Sequence, residues 1–331
     1  MRLCIGTSKG IVIIDPARSR VPLAVVANPS SVFCLAQSAG QPHVIYAGSV
    51  EHTHMGDGPA SGTLSRSTDG GRTWTDITPA GAHDEGIWAV GALPDAPGEL
   101  FIGTSHARLF HSHDHGQNFK ECTAFLDLPG RDRWTFARSP HIPHVRAITF
   151  DAADPALMYV GVEEGGVFRS RDRGASFEPL NKGLYPDVHS LAIDPADPRR
   201  LYATTGRGFY RLEGSSWKFV ATNRPYVVPL LVDREGMLYA AGAAGAPPSW
   251  AACGADSMLL VSADRGHSFK PAAAEGIWRG MIMALLESEV CPGELFGVTT
   301  DGKLLHWRPQ EAEVVELAAN LPPAYAMAAL P

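Results

Sequence analysis

One phrase recurs along the chain and restricts its folding more than any other feature: Ser, any residue, Asp, any residue, Gly, two residues, then an aromatic. Four copies keep every fixed position: Ser67-Thr68-Asp69-Gly70-Gly71-Arg72-Thr73-Trp74, Ser112-His113-Asp114-His115-Gly116-Gln117-Asn118-Phe119, Ser170-Arg171-Asp172-Arg173-Gly174-Ala175-Ser176-Phe177 and Ser262-Ala263-Asp264-Arg265-Gly266-His267-Ser268-Phe269. A degenerate fifth is Glu213-Gly214-Ser215-Ser216-Trp217. Ser and Asp oxygens accept bonds from turn N–H groups, and Gly supplies positive φ, so each copy reads as a hairpin turn. The aromatic is expected to open the next strand and fill the core. Because turn chemistry accounts for every fixed position, the four aspartates are read as structural, not as catalytic groups or calcium ligands.

Upstream of the turns lies a second repeated phrase, a short apolar strand that in most copies ends in or contains Gly: Val44 to Gly48, Leu100 to Gly103, Leu157 to Gly161, Leu201 to Thr204, Leu238 to Gly242 and Leu295 to Val298. A further apolar run precedes each, at 32 to 37, 87 to 93, 145 to 150, 188 to 193, 227 to 233 and 281 to 287. Pro94-Asp95, Asp154-Pro155, Asp194-Pro195 and Asp197-Pro198 break the chain between the two. Six four-stranded units follow. What remains is 2 to 7, 10 to 15 and 21 to 27 at the start and Tyr325 to Leu330 at the end, which together make a seventh. The expectation is an all-β, seven-bladed β-propeller, one domain over 1–331, in which the C-terminal strand becomes the inner strand of the N-terminal blade and leaves no exposed edge. No amphipathic helix alternates with the strands, which excludes a TIM barrel or a Rossmann fold.

On these turns the sequence resembles the Asp-box (BNR) repeat propellers, which include sialidases, xyloglucan-cleaving glycosidases, sortilin-like receptors and a photosystem II assembly factor. The resemblance implies the fold over nearly the whole chain and leaves the activity open, since those families share the turn and not a site. The Arg-Ile-Pro segment that a sialidase resemblance would require is missing; Arg138, Arg146 and Arg279 are the arginines available for a carboxylate-gripping triad.

A formal charge of -7 with no basic run argues against nucleic acid as partner. The first residues, Met1 to Thr7, enter a strand-like pattern directly, without the apolar core of a secretory signal, and no membrane span is expected. Five widely spaced cysteines (Cys4, Cys34, Cys122, Cys253, Cys291), mostly in apolar contexts, suit buried thiols in a reducing compartment. A cytoplasmic location is the expectation.

In a propeller, the loops that lead into inner strands share one face, here called upper, with the second-to-third strand turns. The Ser-x-Asp turns lie on the other face. The long connections 49 to 62, 79 to 86, 123 to 144 and 243 to 256 all fall on the upper face, where function concentrates. So do His52, His54, His83, His106, His141, His144 and His189, together with Glu51, Asp57, Asp84 and Glu85, on consecutive blades. Imidazole with carboxylate is the ligand set for Zn, Mn, Fe or Ni. The expected metal ligands are His52, His54, His83, His144 and His189. Asp84 or Glu85 is the candidate base, and Arg146 or Arg279 the charge stabiliser. Trp88, Tyr226, Trp278 and Tyr325 are expected to bind a small-molecule ligand in the upper-face funnel. His111, His113 and His115 have metal-like spacing but flank a structural turn.

The first functional reading is thus a divalent-metal-dependent hydrolase or lyase acting on a small or sugar-like ligand. The alternative is a non-catalytic propeller that binds a ligand or protein partner. A third is a metal-independent glycosidase, which needs two carboxylates in the funnel from among Asp84, Glu85, Asp127, Asp132 and Asp187.

Overall fold

The computed structural model describes residues 1–18, 21–51, 61–273, 276–309, 311 and 313–331. Among the described residues the strands form seven antiparallel sheets, six of four strands and one of five. Blade 1 runs from the centre outward as Ala324–Leu330, Arg2–Thr7, Gly10–Ile14 and Ala24–Val26. Blade 2 opens on the inner strand Val32–Ser38, blade 3 on Ile87–Ala92, blade 4 on His144–Phe150, blade 5 on Val188–Asp194, blade 6 on Tyr226–Val232 and blade 7 on Ile282–Glu287. Each inner strand packs beside the next, and that of blade 7 packs beside that of blade 1, so the blades close into a ring. The expected seven-bladed propeller is therefore what forms. Its closing strand pairs with the N-terminal strand in the register Leu3↔Ala329, Cys4↔Ala328 and Ile5↔Met327.

The core lies between neighbouring blades. Phe101 and Leu109 of blade 3 pack with Val160 and Phe168 of blade 4, and at the closing seam Leu3 and Ile5 of blade 1 pack with Phe296 and Val298 of blade 7. The Gly in the second strand has a packing origin. A methyl at Gly103 would lie 2.3 Å from Val145 of the next inner strand, and one at Gly161 would lie 2.9 Å from Val188. Blade-to-blade approach thus requires the missing side chain. Blade 5 has Thr204 at the equivalent register, and its hydroxyl donates to the Val228 carbonyl of the next inner strand, 2.7 Å away.

The Ser-x-Asp turns form as expected. In the second copy the Ser112 hydroxyl donates to Asp114 Oδ1 (2.9 Å) and accepts the Gly116 N–H (3.0 Å), and Asp114 accepts from the Asn118 main chain and side chain (2.9 and 2.7 Å). The aromatics Trp74, Phe119, Phe177 and Phe269 do not open the outer strands but immediately precede them; those strands are only two residues long, as at Thr75–Asp76. All five cysteines are free, and Cys253 and Cys291 are exposed, contrary to the expectation that the thiols are mostly buried. No described helix is long and apolar enough to cross a membrane; the two α-helices span Thr123–Leu126 and Pro247–Cys253.

One irregularity recurs in every blade. Ladder pairing skips a residue near the start of each inner strand: Val32 and Cys34 pair but not Phe33, and the same holds at Trp88, Arg146, His189 and Met283. In blade 6 the skip covers Val228 and Pro229, and in blade 1 it falls at Tyr325. These are β-bulges, which re-aim a side chain and which collect beside functional sites.

Candidate functional site

The bulged residues meet at the channel. Phe33, Trp88, Arg146, His189, Val228, Met283 and Tyr325 all line one cavity of about 230 Å³ on the propeller axis, with Cys34, Ile148, Leu191 and Leu230 among the other lining groups. Blades 1 to 3 contribute its aromatic wall. Phe33 stacks on Tyr325 at 4.3 Å between ring centroids and lies 5.3 Å from Trp88. Trp88 in turn covers the His144 ring at 3.9 Å, and its indole N–H donates to Ser105 Oγ (3.0 Å).

Blades 4 and 5 contribute the charges. His144 and Glu163 face each other in register at the upper ends of the first two strands of blade 4. Buried His144 donates from Nε2 to Glu163 Oε2 at 2.7 Å. Arg146 Nε lies 3.5 Å from the same oxygen, and the guanidinium sits 5.3 Å from the Trp88 ring centre. His189 is 4 % exposed; its Nδ1 lies 2.6 Å from the Val227 carbonyl, an acceptor, and so carries the proton. The other ring nitrogen, Nε2, lies 3.3 Å from Asp187 Oδ1 and is buried without a hydrogen-bond partner. Oxygens of Glu163 and Asp187 and a nitrogen of His189 all lie within 4.8 Å of one another.

The electrostatics follow from this crowding. Burial alone would raise the Glu163 carboxyl, but the imidazoles of His144 and His189 and the Arg146 guanidinium outweigh it and hold the group well below the ordinary carboxylate range. Burial opposes charge on His189, yet Asp187, Glu163 and the Val227 carbonyl prevail and raise its pKa. Burial pushes Tyr226 upward, and Glu163 and Asp187 add to the effect; its ring lies 4.6 Å from His189.

Of the expected ligands, His144 and His189 do come together, on either side of Glu163. The Nε2 of His144 is spent on that carboxylate and is not free to hold an ion. His83 is exposed beyond the short helical turn Ala80–Ala82, and His52 and His54 lie outside the described residues. Asp84 is exposed. Glu85 is buried and held by Thr104, Arg108 and, at 3.7 Å, His106, so it is not free to act as a base. Arg279 is exposed, and its main-chain carbonyl accepts from Ala255. Trp278 pairs with Ser257 and packs between blades 6 and 7 with Leu259, Leu295 and Trp307, away from the channel cavity. Trp88 and Tyr325 line the channel cavity, whereas Tyr226 is not among its lining residues and packs its ring 4.6 Å from that of His189. Glu163 went unnoticed in the sequence because it ends a second strand, and only loops and inner-strand entrances drew attention. Its signal was the acidic hairpin Glu163-Glu164-Gly165-Gly166 opposite His144.

A second upper-face cavity, about 590 Å³, lies over blades 3 and 4 and is lined by Glu85, His106, Arg108, Arg131, Trp134 and His141 among others. His106 and His141 both hold left-handed backbone (φ 62° and 64°). On the lower face His111 Nε2 donates to Glu99 (2.8 Å) while its ring stacks on Phe101; His306, Glu294 and Phe296 repeat that arrangement in blade 7. The repetition supports a structural role for His111.

No protein-family model matches this sequence, and no curated protein does. Solved structures match its fold. The GH74 xyloglucanase of Xanthomonas campestris aligns with a TM-score of 0.69 at 18% identity over 98% of this chain and 52% of its own. A GH74 enzyme of Niastella koreensis aligns at 0.67 and 16% identity over 98% and 51%. YCF48, solved with a bound D1 peptide, aligns at 0.57 and 16% identity over 86% of this chain and 82% of its own. The chain thus spans about half the length of the two GH74 structures. At these identities the likeness is one of fold: a seven-bladed propeller of the architecture shared by GH74 glycosidases and YCF48.

Proposed function

We propose that the upper mouth of the channel holds a divalent transition-metal ion, Zn, Mn, Fe or Ni, on Glu163, Asp187 and His189, and that the protein is a metal-assisted hydrolase or lyase acting on a small or sugar-like ligand. The observation that carries this reading is His189 Nε2, which is buried within 4.8 Å of oxygens from both carboxylates and makes no hydrogen bond among the described residues. Such an atom repels its neighbours unless a proton or a cation sits among them. Outer groups are arranged as metal ligands require: the Val227 carbonyl fixes the His189 tautomer, and His144 orients Glu163. An ion held there by Glu163, Asp187 and His189 would supply Lewis acidity toward a substrate oxygen. Arg146 faces the developing negative charge, and Trp88 and Tyr226 flank the ligand.

Metal analysis of protein dialysed against Mn²⁺ or Zn²⁺ tests the reading. One ion per chain is expected, with His189→Ala and Asp187→Asn each lowering occupancy at least tenfold. Occupancy unaffected by both substitutions, or no stoichiometric ion, defeats it.

A second reading, a propeller that binds without turnover, is supported by the 590 Å³ groove, whose only lining carboxylate among the described residues, Glu85, is already committed to Arg108 and Thr104. It predicts saturable ligand binding that survives metal removal, with no product formed.

A further inference from the structure

The bulges in all seven inner strands have a joint consequence. Each shifts the ladder register at the same level of the propeller, by one residue in six blades and by Val228 and Pro229 in blade 6, and Tyr325, Phe33, Trp88, Arg146, His189, Val228 and Met283 at these shifts form a closed collar around one cavity. Backbone geometry, repeated seven times, thus builds a ring whose chemistry is set by one side chain per blade. That ring is divided into sectors. Three adjoining blades present aromatic rings, the next two present a guanidinium and an imidazole, and the last two present Val228 and Met283.

We infer that the collar is a binding site for a small aryl carboxylate. The anion is specified by Arg146. Its side chain is 14% exposed, and among the described residues its only ion pair is the 3.5 Å contact with Glu163 and its buried Nε has no hydrogen-bond partner. Glu163 is already engaged at that same oxygen by His144 at 2.7 Å, so the guanidinium keeps donors in hand for a second, planar carboxylate. The planar body is specified by the wall beside it: Phe33 lies parallel to Tyr325 within 9°, Trp88 adjoins them, and Arg146 reaches over the Trp88 ring. A ring lying along this wall brings its carboxylate toward Arg146, with Val228, Leu230 and Met283 closing the opposite side. The size is specified by the cavity, whose volume of about 230 Å³ falls below that of sites for drug-sized ligands and suits a single ring with a short acid. This inference narrows the ligand class of the centre proposed above, yet the collar itself needs no ion.

Benzoate is the probe, titrated by calorimetry into the full chain, once in EDTA and once with Mn²⁺. Saturable binding with one benzoate per chain is expected in both, at least tenfold tighter than benzyl alcohol, cyclohexanecarboxylate or glucose. Arg146→Gln should weaken benzoate at least tenfold while leaving benzyl alcohol unchanged. Met283→Trp fills the cavity from the far wall without touching a charge, and should abolish binding even if Arg146→Gln fails to fold. Benzoate that does not bind in EDTA, that binds Met283→Trp as well as the parent, or that is matched by benzyl alcohol or glucose overturns the collar. The two readings fail separately: Mn²⁺ retained with no benzoate binding removes the collar alone, and benzoate bound by a chain that takes up no Mn²⁺ when dialysed against it removes the metal centre alone.

Discussion

At the scale of single residues, the Ser-x-Asp turns show how much one oxygen carries. The Ser112 hydroxyl is buried and accepts the Gly116 N–H while donating to Asp114. Ser112→Ala would leave that N–H buried and unpaired, a loss of about 1–3 kcal/mol that urea unfolding should register. Asp114 carries a pH dependence. Hydrogen bonds from the Asn118 side chain and main chain hold its carboxyl at about 2, below the ordinary 3.8. A depressed pKa means that the stability gained is present above the unfolded value and is lost as the pH falls through the folded one. The stability gap between wild type and Asp114→Asn should therefore be full at pH 5 and above and should close as the pH approaches 2, measured by urea midpoints across that range. The turn residues were legible in the sequence because short-range hydrogen bonding fixes them. Glu163 and Asp187 carry no such local signal: carboxylates become site residues through what distant strands bring to them, and the sequence marks Asp187 only as one of five carboxylates that a glycosidase could use.

Secondary-structure elements were legible in order and nearly in extent, but not in orientation. Apolar runs located six inner strands, and the leftover terminal segments supplied the seventh, Ala324–Leu330, by ring closure. A single bulge then reverses which side chain faces the channel, and no local sequence signal announces it. Trp88 and Tyr325 reach the cavity at such bulges, whereas Trp278, read as an inner-strand entrance, pairs with Ser257 on a separate two-residue strand and packs between two blades. Blade docking makes a prediction at this scale. Gly103→Ala places a methyl 2.3 Å from Val145 Cγ1, and overpacking of this kind costs about 1–3 kcal/mol. Adding Val145→Ala should recover part of the loss, so the double variant should unfold at higher urea than the sum of the two single changes allows. Strict additivity would mean that the Gly does not serve the blade contact.

On the scale of the whole molecule, ring closure ties the two ends of the described chain together. Arg2–Thr7 is almost entirely buried, and its inner side is paired only by Ala324–Leu330. Deleting 324–331 would expose a six-residue, largely apolar strand edge at the channel and open the seam where Leu3, Ile5 and Met327 pack with Phe296 and Val298. An unpaired edge of this composition templates association. In an open stack of repeats, by contrast, each unit leans mainly on its neighbours, and losing one strand would cost only local stability. The two possibilities differ in what a truncated chain does. Closure predicts concentration-dependent oligomers in light scattering and a broad, non-cooperative urea transition, both reversed by adding a synthetic peptide of residues 324–331 in excess. A monomeric truncated chain with a sharp transition would instead show that the blades hold one another without the final strand, and that the collar of seven bulges can survive with one sector missing.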